Sequence, residues 1–569
     1  MRAKDLLGRR ALAQALADKL YDHVTGPDET DPGPTVVTIE GPWGCGKSTL
    51  MDLVRDFLPA PRTSDITPPK LTVRMASQLL RNGEPPDPPV SEGKRARGVV
   101  TAWFNPWAHQ SGEQVWAGLV AEIIEAARPV LYPSETARER YWFARNVNRV
   151  DRYALRRTLH RRMLAPSLTV GALGVVASLV IAIAELETTV RLFGTEIPTA
   201  IMALLIASSF LLLGAVHTAA RYMRGAAARF LPGELFHGPV SMAPDVDAPE
   251  HGLTEGLNDP LRRARAGLLY LYQHDVSELV TDLDRAGYEL VVFVDDLDRC
   301  RALTTAEVFE AINLFLAGFV AERRRTRHHR PGEPGSSLRA RFVIGLDPVV
   351  VASHLDRVYA DLYDPDTALD EEDPSRGWAF LRKLVHLPIL VPQIPDTEIF
   401  RIVDLITGVP PSPEPPATIT PPPAGAVSWK PQHDPQIQAL VHSRLAARPD
   451  RSIREATRQL NLWDFYERVL AATQPCGDMA SARTRSQHLI ILAEIVTRWP
   501  ALQRFLHRRH SANTGLRTLA LAAGGPEWEE TVETVLTGHG TSDETIAALR
   551  QILRDHEGAA VADLAIQVL

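Results

Sequence analysis

The chain has 569 residues, which at about 150 residues per domain sets a prior of three to four domains. Its 45% hydrophobic and 23% charged residues exclude a disordered chain, a collagen and a coiled-coil rod. A net charge of -7 argues against wholesale nucleic-acid coating, three cysteines exclude a disulfide scaffold and suit a reducing compartment, and a mean hydropathy of -0.10 leaves room for a short membrane segment.

The N-terminus has no long apolar core behind its charges and does not read as a signal peptide. Leu12, Leu16 and Leu20 fall at i, i+4 and i+8 and predict an amphipathic helix, ended by the Gly/Pro/Asp stretch Gly26 to Pro34. Thr35 to Ile39 reads as a buried strand, followed by a glycine-rich turn and a helix from Ser48 to Leu58. Residues 59 to 98 read mostly as loop, with a short strand candidate at Lys70 to Arg74. Gly98 to Trp103 is a second strand, and Gln114 to Ala127 a helix with Val115, Leu119 and Ile123 on one face.

Met163 to Ala184 is 22 residues without a charge, and Ile197 to Ala220 is 24. Each matches the roughly 20 apolar residues that cross a bilayer. The link between them, Glu185 to Glu196, holds three acids against Arg191. Ten arginines flank the pair: Arg145, Arg149, Arg152, Arg156, Arg157, Arg161 and Arg162 before it, and Arg221, Arg224 and Arg229 after it. The positive-inside rule puts both flanks in the cytoplasm. The competing reading is a buried hairpin in a soluble helical domain.

Glu289 to Val294 reads as a buried strand ending in Asp295-Asp296, Thr305 to Val320 as a helix, and Arg341 to Leu346 as another buried strand ending in Asp347. Strands alternating with helices indicate a mostly parallel α/β sheet. The basic run Arg323 to Arg330 is expected to open a loop, either solvated or facing anionic lipid or nucleic acid. Eight of the sixteen residues from Val409 to Ala424 are proline, so 409–430 reads as a stiff linker. Residues 431–569 have helical periodicity and read as an α-helical C-terminal domain.

Gly41-Pro42-Trp43-Gly44-Cys45-Gly46-Lys47-Ser48 fits G-x-x-x-x-G-K-[ST], between a predicted strand and a predicted helix. Its glycines free backbone N–H groups to cradle phosphate, Lys47 reaches the β and γ phosphates, and the Ser48 hydroxyl ligates Mg²⁺. Together with Thr49 these residues form the expected nucleotide-binding segment. Lys47 is one of only seven lysines. Cys45 reads as a bystander whose alkylation would block nucleotide. Asp295 is the expected second Mg²⁺ ligand, at the C-terminal sheet edge where ligands bind. Asp296 is the candidate general base, or else a helix cap. Asp298-Arg299 would ion-pair locally or face a neighbouring subunit. Asp347 either contacts the γ-phosphate or water, or makes an Asx turn before Pro348. Trp103, Phe104 and Trp107 read as a recognition patch or as core.

This order of parts resembles the KAP family of P-loop NTPases. The resemblance rests on the P-loop, on Trp103-Phe-Asn-Pro-Trp107, on two apolar spans inserted before Val291-Val-Phe-Val-Asp-Asp-Leu-Asp-Arg-Cys300, and on Phe342 to Asp347. Asp5 to Arg9, Phe380 to Pro392 and Pro449 to Asn461 extend it over residues 5 to 465; His386 stands where the family has glutamine, and Asp450 is inserted before Arg451. It implies an additional-strand P-loop NTPase sheet, one strand lying between the two Walker strands. It also implies a cytoplasmic NTPase anchored in the inner membrane by the hairpin, with ATP and Mg²⁺ as cofactors. Lys383 or Arg382 is then the candidate basic group for the γ-phosphate, within the chain or across a subunit boundary, with Arg451 and Arg454 as lid-side sensors. The site expected on these grounds comprises Lys47, Asp295, Asp296 and Lys383 as catalytic residues and Ser48 and Asp295 as metal ligands.

Three functions follow. One is a membrane-anchored ATPase whose turnover drives conformational change or oligomerisation, the bacterial members of the family pointing to anti-phage defence. Another is a non-catalytic nucleotide-binding scaffold that recruits partners through the C-terminal helices. The last, a nucleic-acid motor, finds no recognisable module in the sequence. No guanine-specifying N-K-x-D is present, so ATP and GTP are not separated by motif.

Overall fold

Five runs of apolar residues make one parallel sheet. Among the described residues the seven longer strands are β1 (Val36–Glu40), β2 (Gly98–Phe104), β3 (Thr189–Leu192), β4 (Thr195–Pro198), β5 (Tyr288–Val294), β6 (Ala340–Leu346) and β7 (Leu387–Leu390). The sheet has the order β2-β5-β6-β1-β7, with every neighbouring pair parallel. β6 thus lies between β1, which leads into the P-loop, and β5, which ends in Asp295. That is the additional-strand arrangement the resemblance implies. Every residue of β1, β5 and β6 is buried, as strands covered on both faces require.

In this computed structural model the described residues are 9–21, 35–61, 68–82, 98–109, 111–147, 150–184, 189–192, 195–238, 268–329, 340–360, 375–392, 431–447, 453–510, 513–536 and 541–568. Asp5 to Gly8, the stretch Gly26 to Pro34, the proline-rich 409–430 and Arg451 lie outside them, as does the side chain of Arg454. The chain divides into two compact units: Met1–Pro61, Arg95–Ala126 and Gly287–Leu569 make one, Arg62–Lys94 and Ala127–Ala286 the other.

The first unit holds the sheet. The predicted N-terminal helix forms over Arg10–Tyr21 and buries Leu12, Leu16 and Leu20. The C-terminal region is helical, with Pro435–Ala446, Ile453–Thr473, Met479–Arg498, Gly515–Ala522, Trp528–Val535, Asp543–Asp555 and Gly558–Val568 as its longer helices. Asp434, Asp478, Thr514 and Ser542 each cap one of these with a side-chain oxygen. Leu16, Ile39, Phe293, Phe465, Tyr466 and Leu489 belong to one continuous core, so these helices and the sheet fold against each other. Lys19 donates to Asp464 at 2.5 Å across the same packing.

The second unit holds the hairpin. Its helices, Pro166–Ile183 and Thr199–Arg224, are long and apolar enough to cross a membrane, with mean hydropathies of 2.1 and 2.3. Only 11% of each apolar window is buried within the chain. That is the opposite of what a hairpin sequestered in a soluble core requires. They meet through small residues: a Cβ at Gly171 would lie 2.8 Å from the Leu211 nitrogen and 3.1 Å from the Ala207 oxygen. The link carries the antiparallel pair β3–β4, which the sequence pattern does not predict. The basic helix Arg152–Met163 precedes the first span and buries Leu155, Leu159 and Met163. Arg145 pairs with both Glu278 and Asp282 and joins the helices Glu135–Asn146 and Leu268–Arg285.

Two local expectations are corrected. Lys70 to Arg74 is not a strand: Thr72 makes one isolated bridge to Ala226, and Val73–Asn82 is a helix burying Val73, Ala76, Ser77 and Leu80. The i, i+3, i+7 spacing of its buried Val73, Ala76 and Leu80 outweighs the β-branched pair at its start. Arg323 to His329 continues the helix Ala302–His329 rather than opening a loop, consistent with the high helix propensity of arginine.

Candidate functional site

The site sits at the C-terminal edge of the sheet. β1 ends at Glu40, and the chain turns through Gly44 and Gly46, at φ 80° and 90°, before entering the helix Lys47–Phe57. Both angles lie in the left-handed region that side chains with a Cβ rarely adopt, so these glycines are required by the turn itself. Gly41 is constrained by space instead: a Cβ there would sit 2.6 Å from the Cys45 sulfur. Arg9, itself buried, ties the loop down by donating to the Cys45 carbonyl at 2.6 Å and to the Pro392 carbonyl beyond β7 at 2.7 Å. Pro42 accepts from Lys47, Trp43 is exposed at the tip of the loop, and Thr49 lies exposed in the first turn of the helix.

β5 brings the acids to this loop. The Ser48 hydroxyl donates to Asp295 at 3.0 Å, joining residues 247 apart in sequence. Burial pushes the Asp295 carboxyl above its usual range, and the Ser48 hydrogen bond opposes this. Serine hydroxyl and carboxylate are hard oxygen donors, the kind that Mg²⁺ takes alongside phosphate and water. Among the described residues no group of three His, Cys, Asp or Glu could hold a metal ion.

Asp296 is left-handed at φ 56° and makes no cap with its side chain, which excludes the capping role. Its carboxylate accepts instead from Asn105 at 3.1 Å and pairs with Arg299 at 2.9 Å. Arg299 also lies over the Trp43 ring, 4.9 Å from its centre. Asp298 pairs instead with Lys47 at 2.9 Å, 251 residues away in sequence, so of Asp298-Arg299 only Arg299 pairs locally. Cys300, at the end of this turn, has its thiol pushed up to about 12 by burial and by Asp298 and Asp296. Burial likewise raises the Cys45 thiol, which keeps it in the poorly reactive protonated form.

The remaining candidates divide. Asp347 caps the helix Pro348–Val358 by accepting from the Val349 nitrogen, which is the Asx-turn alternative. Trp103 stacks on Phe293 with Arg55 against its ring, and Phe104 is buried, so both pack as core, whereas Trp107 is exposed. Lys383 is exposed at the end of the helix Arg376–Leu384, just before β7. That is the sheet edge opposite the P-loop, and the structure does not bring Lys383 to the site. His386 stands at the same opposite edge, in contact with Thr35 at 3.3 Å. Arg382 is buried and pairs with Glu455 of the helix Ile453–Thr473 at 3.5 Å. Glu455 also lies 3.9 Å from Arg458, whose charge acts on the buried Glu40 at the root of the P-loop.

Asn105, Asp298 and Arg9 complete the site and were not assigned to it from sequence. Asn105 was the most accessible of the three, because it follows β2 directly and β2 pairs with the strand that carries Asp295.

The family model of the KAP family P-loop domain matches residues 10–320, more than half of the chain and inclusive of both apolar helices. The chain belongs to the KAP family of P-loop NTPases. Comparison with curated proteins and with solved structures found no match. As a KAP protein it is a nucleotide-binding member of a nucleotide-hydrolysing family. Its two Walker elements meet across the inserted hairpin sequence to form the serine–carboxylate pair described above.

Proposed function

We propose that this KAP protein is a membrane-anchored ATPase working with Mg²⁺. The observation that carries the reading is the convergence of Ser48, Lys47 and Asp295 on one edge of the sheet, from segments 247 residues apart. On this reading the loop Gly41 to Thr49 cradles the phosphates with its backbone N–H groups, and Lys47 reaches toward the β and γ phosphates. Ser48 and Asp295 would hold Mg²⁺, which supplies charge neutralisation on the phosphate oxygens. Asp296, oriented by Asn105 and balanced by Arg299, takes the proton of the attacking water.

The hairpin supplies the anchor. Val170, Leu173, Leu179, Ile183, Leu212 and Leu213 are all more than half exposed within the chain, an apolar surface suited to lipid. The arginines on its flanks support a cytoplasmic NTPase by the positive-inside rule. In the cell the protein would serve signalling or anti-phage defence at the bacterial inner membrane.

ATP hydrolysis by the detergent-solubilised protein is the direct test. Lys47→Ala and Asp295→Ala are each expected to lower kcat/KM by at least about a hundredfold, the scale of losing one main electrostatic element of phosphoryl transfer. Wild-type turnover in either variant rejects the catalytic assignment. Release of the protein from membranes by alkaline carbonate rejects the anchor, and unchanged phage plating with Lys47→Ala rejects the defence role.

A further inference from the structure

A lysine ammonium carries three N–H donors and no acceptor. At Lys47 all three have protein oxygens within reach: the Gly41 carbonyl at 3.0 Å, the Pro42 carbonyl at 3.4 Å and the Asp298 carboxylate at 2.9 Å. The Lys47 and Asp298 side chains are only 8% and 5% exposed, so solvent screens the pair weakly. The side chain that a P-loop uses to grip phosphate is thus already bonded to an anion. Any phosphate arriving there competes with Asp298 for one cation.

The backbone holds Asp298 to this task. The left-handed Asp296 bends the chain straight out of β5 into the short helical turn Leu297–Arg299. Leu297 is fully buried, and its carbonyl accepts from the Cys300 nitrogen at 3.2 Å. Arg299 ties the same turn to Asp296 and to the Trp43 ring. The three acids of the segment are therefore divided among four partners: Asp295 takes Ser48, Asp296 takes Asn105 and Arg299, and Asp298 takes Lys47.

We infer that Asp298 is a built-in competitor of phosphate. It is a positioning residue: it holds Lys47 until the phosphates of a nucleotide displace it, and so sets nucleotide affinity. The more negative the nucleotide, the better it displaces the carboxylate, so Asp298 also widens the preference for triphosphate over diphosphate. This inference rests on the P-loop being the nucleotide site.

The test is equilibrium titration of the full-length, detergent-purified protein with MgATP and MgADP, with hydrolysis measured in parallel. Asp298→Asn keeps the shape and removes the charge. It is expected to tighten MgATP binding by about tenfold, the scale of one shielded competing charge, and to lower KM without raising kcat. The ratio of ADP to ATP dissociation constants should shrink, and Asp298→Glu, which keeps the charge, should stay close to wild type. A structural role alone would lower the melting temperature of free and MgATP-bound protein equally; a competitor predicts a larger MgATP-induced rise in Asp298→Asn than in wild type. Unchanged or weaker MgATP binding in Asp298→Asn overturns the inference. Wild-type MgATP affinity in Lys47→Ala is a separate result, and it would overturn the nucleotide-site reading itself.

Discussion

Asn105 shows how one uncharged side chain can tune an acid. Its amide donates to Asp296 at 3.1 Å while its carbonyl oxygen accepts from the Trp107 nitrogen at 3.1 Å. The second bond fixes the amide, so the first fixes the carboxylate. Asn105→Ala removes that clasp without changing any charge. With Asp296 as the proposed base, we expect kcat to fall by about tenfold or more with KM nearly unchanged, because orientation of a base affects the chemical step rather than binding. A change confined to KM would assign Asn105 to nucleotide binding instead. The P-loop residues were legible in the sequence because their chemistry is compressed into eight consecutive positions. Asp298 as partner of Lys47 and Asn105 as partner of Asp296 were not, because they lie 251 and 191 residues away, and no local pattern encodes such a distance. The place of Lys383 was hidden for the same reason: the motif was readable, but not the sheet edge that keeps it away from the P-loop of its own chain.

Elements were read best where burial is two-sided. β1, β5 and β6 are mostly apolar runs followed by acids or glycine, and their placement followed directly from that pattern. The helix Val73–Asn82 was missed because proline and charge surround it and a window of five residues favours its β-branched start. The hairpin was the clearest element of all, yet its packing depends on single hydrogen atoms. Gly171 faces Leu211 and Ala207, and Gly214 faces Leu168; a methyl group added at either glycine would come within 2.8 Å of its neighbour. Gly171→Leu should force the two helices apart, since the obstructing Leu211 nitrogen and Ala207 oxygen belong to backbone. A cross-link between cysteines placed on the facing helices would then form markedly less efficiently than in the parent protein. Equal cross-linking yield in the two backgrounds would show that the helices do not depend on this contact.

At the scale of the whole molecule, the C-terminal helices share a core with the sheet, so their stability reaches the site. His507 is partly buried there, 2.8 Å from the Gln503 side-chain oxygen, and desolvation lowers its pKa from 6.5 to about 4. An imidazole with a depressed folded-state pKa contributes stability above the unfolded value. That contribution is lost as pH falls from about 6.5 toward 4, because the unfolded chain takes up the proton first. Its full size is ~3 kcal/mol by linkage. The melting temperature should therefore drop across this window in wild type and drop less in His507→Gln; identical pH profiles would show that His507 is protonated without cost.

The order of the strands also sets a timetable for synthesis. β1 is flanked in the sheet by β6 and β7, so Val36 pairs with Phe342, a residue made roughly 300 positions later. At 5–20 residues per second a ribosome needs about 15 seconds to a minute to cover that interval. The hairpin leaves the ribosome within it, before either neighbour of β1 exists. A nascent chain must therefore commit its apolar helices to their surroundings while its phosphate loop still hangs from an unpaired strand. Completion of the sheet that carries the P-loop is postponed by topology alone until both apolar helices have been made, and a chain that stalls before β6 has its hairpin but lacks both neighbours of β1.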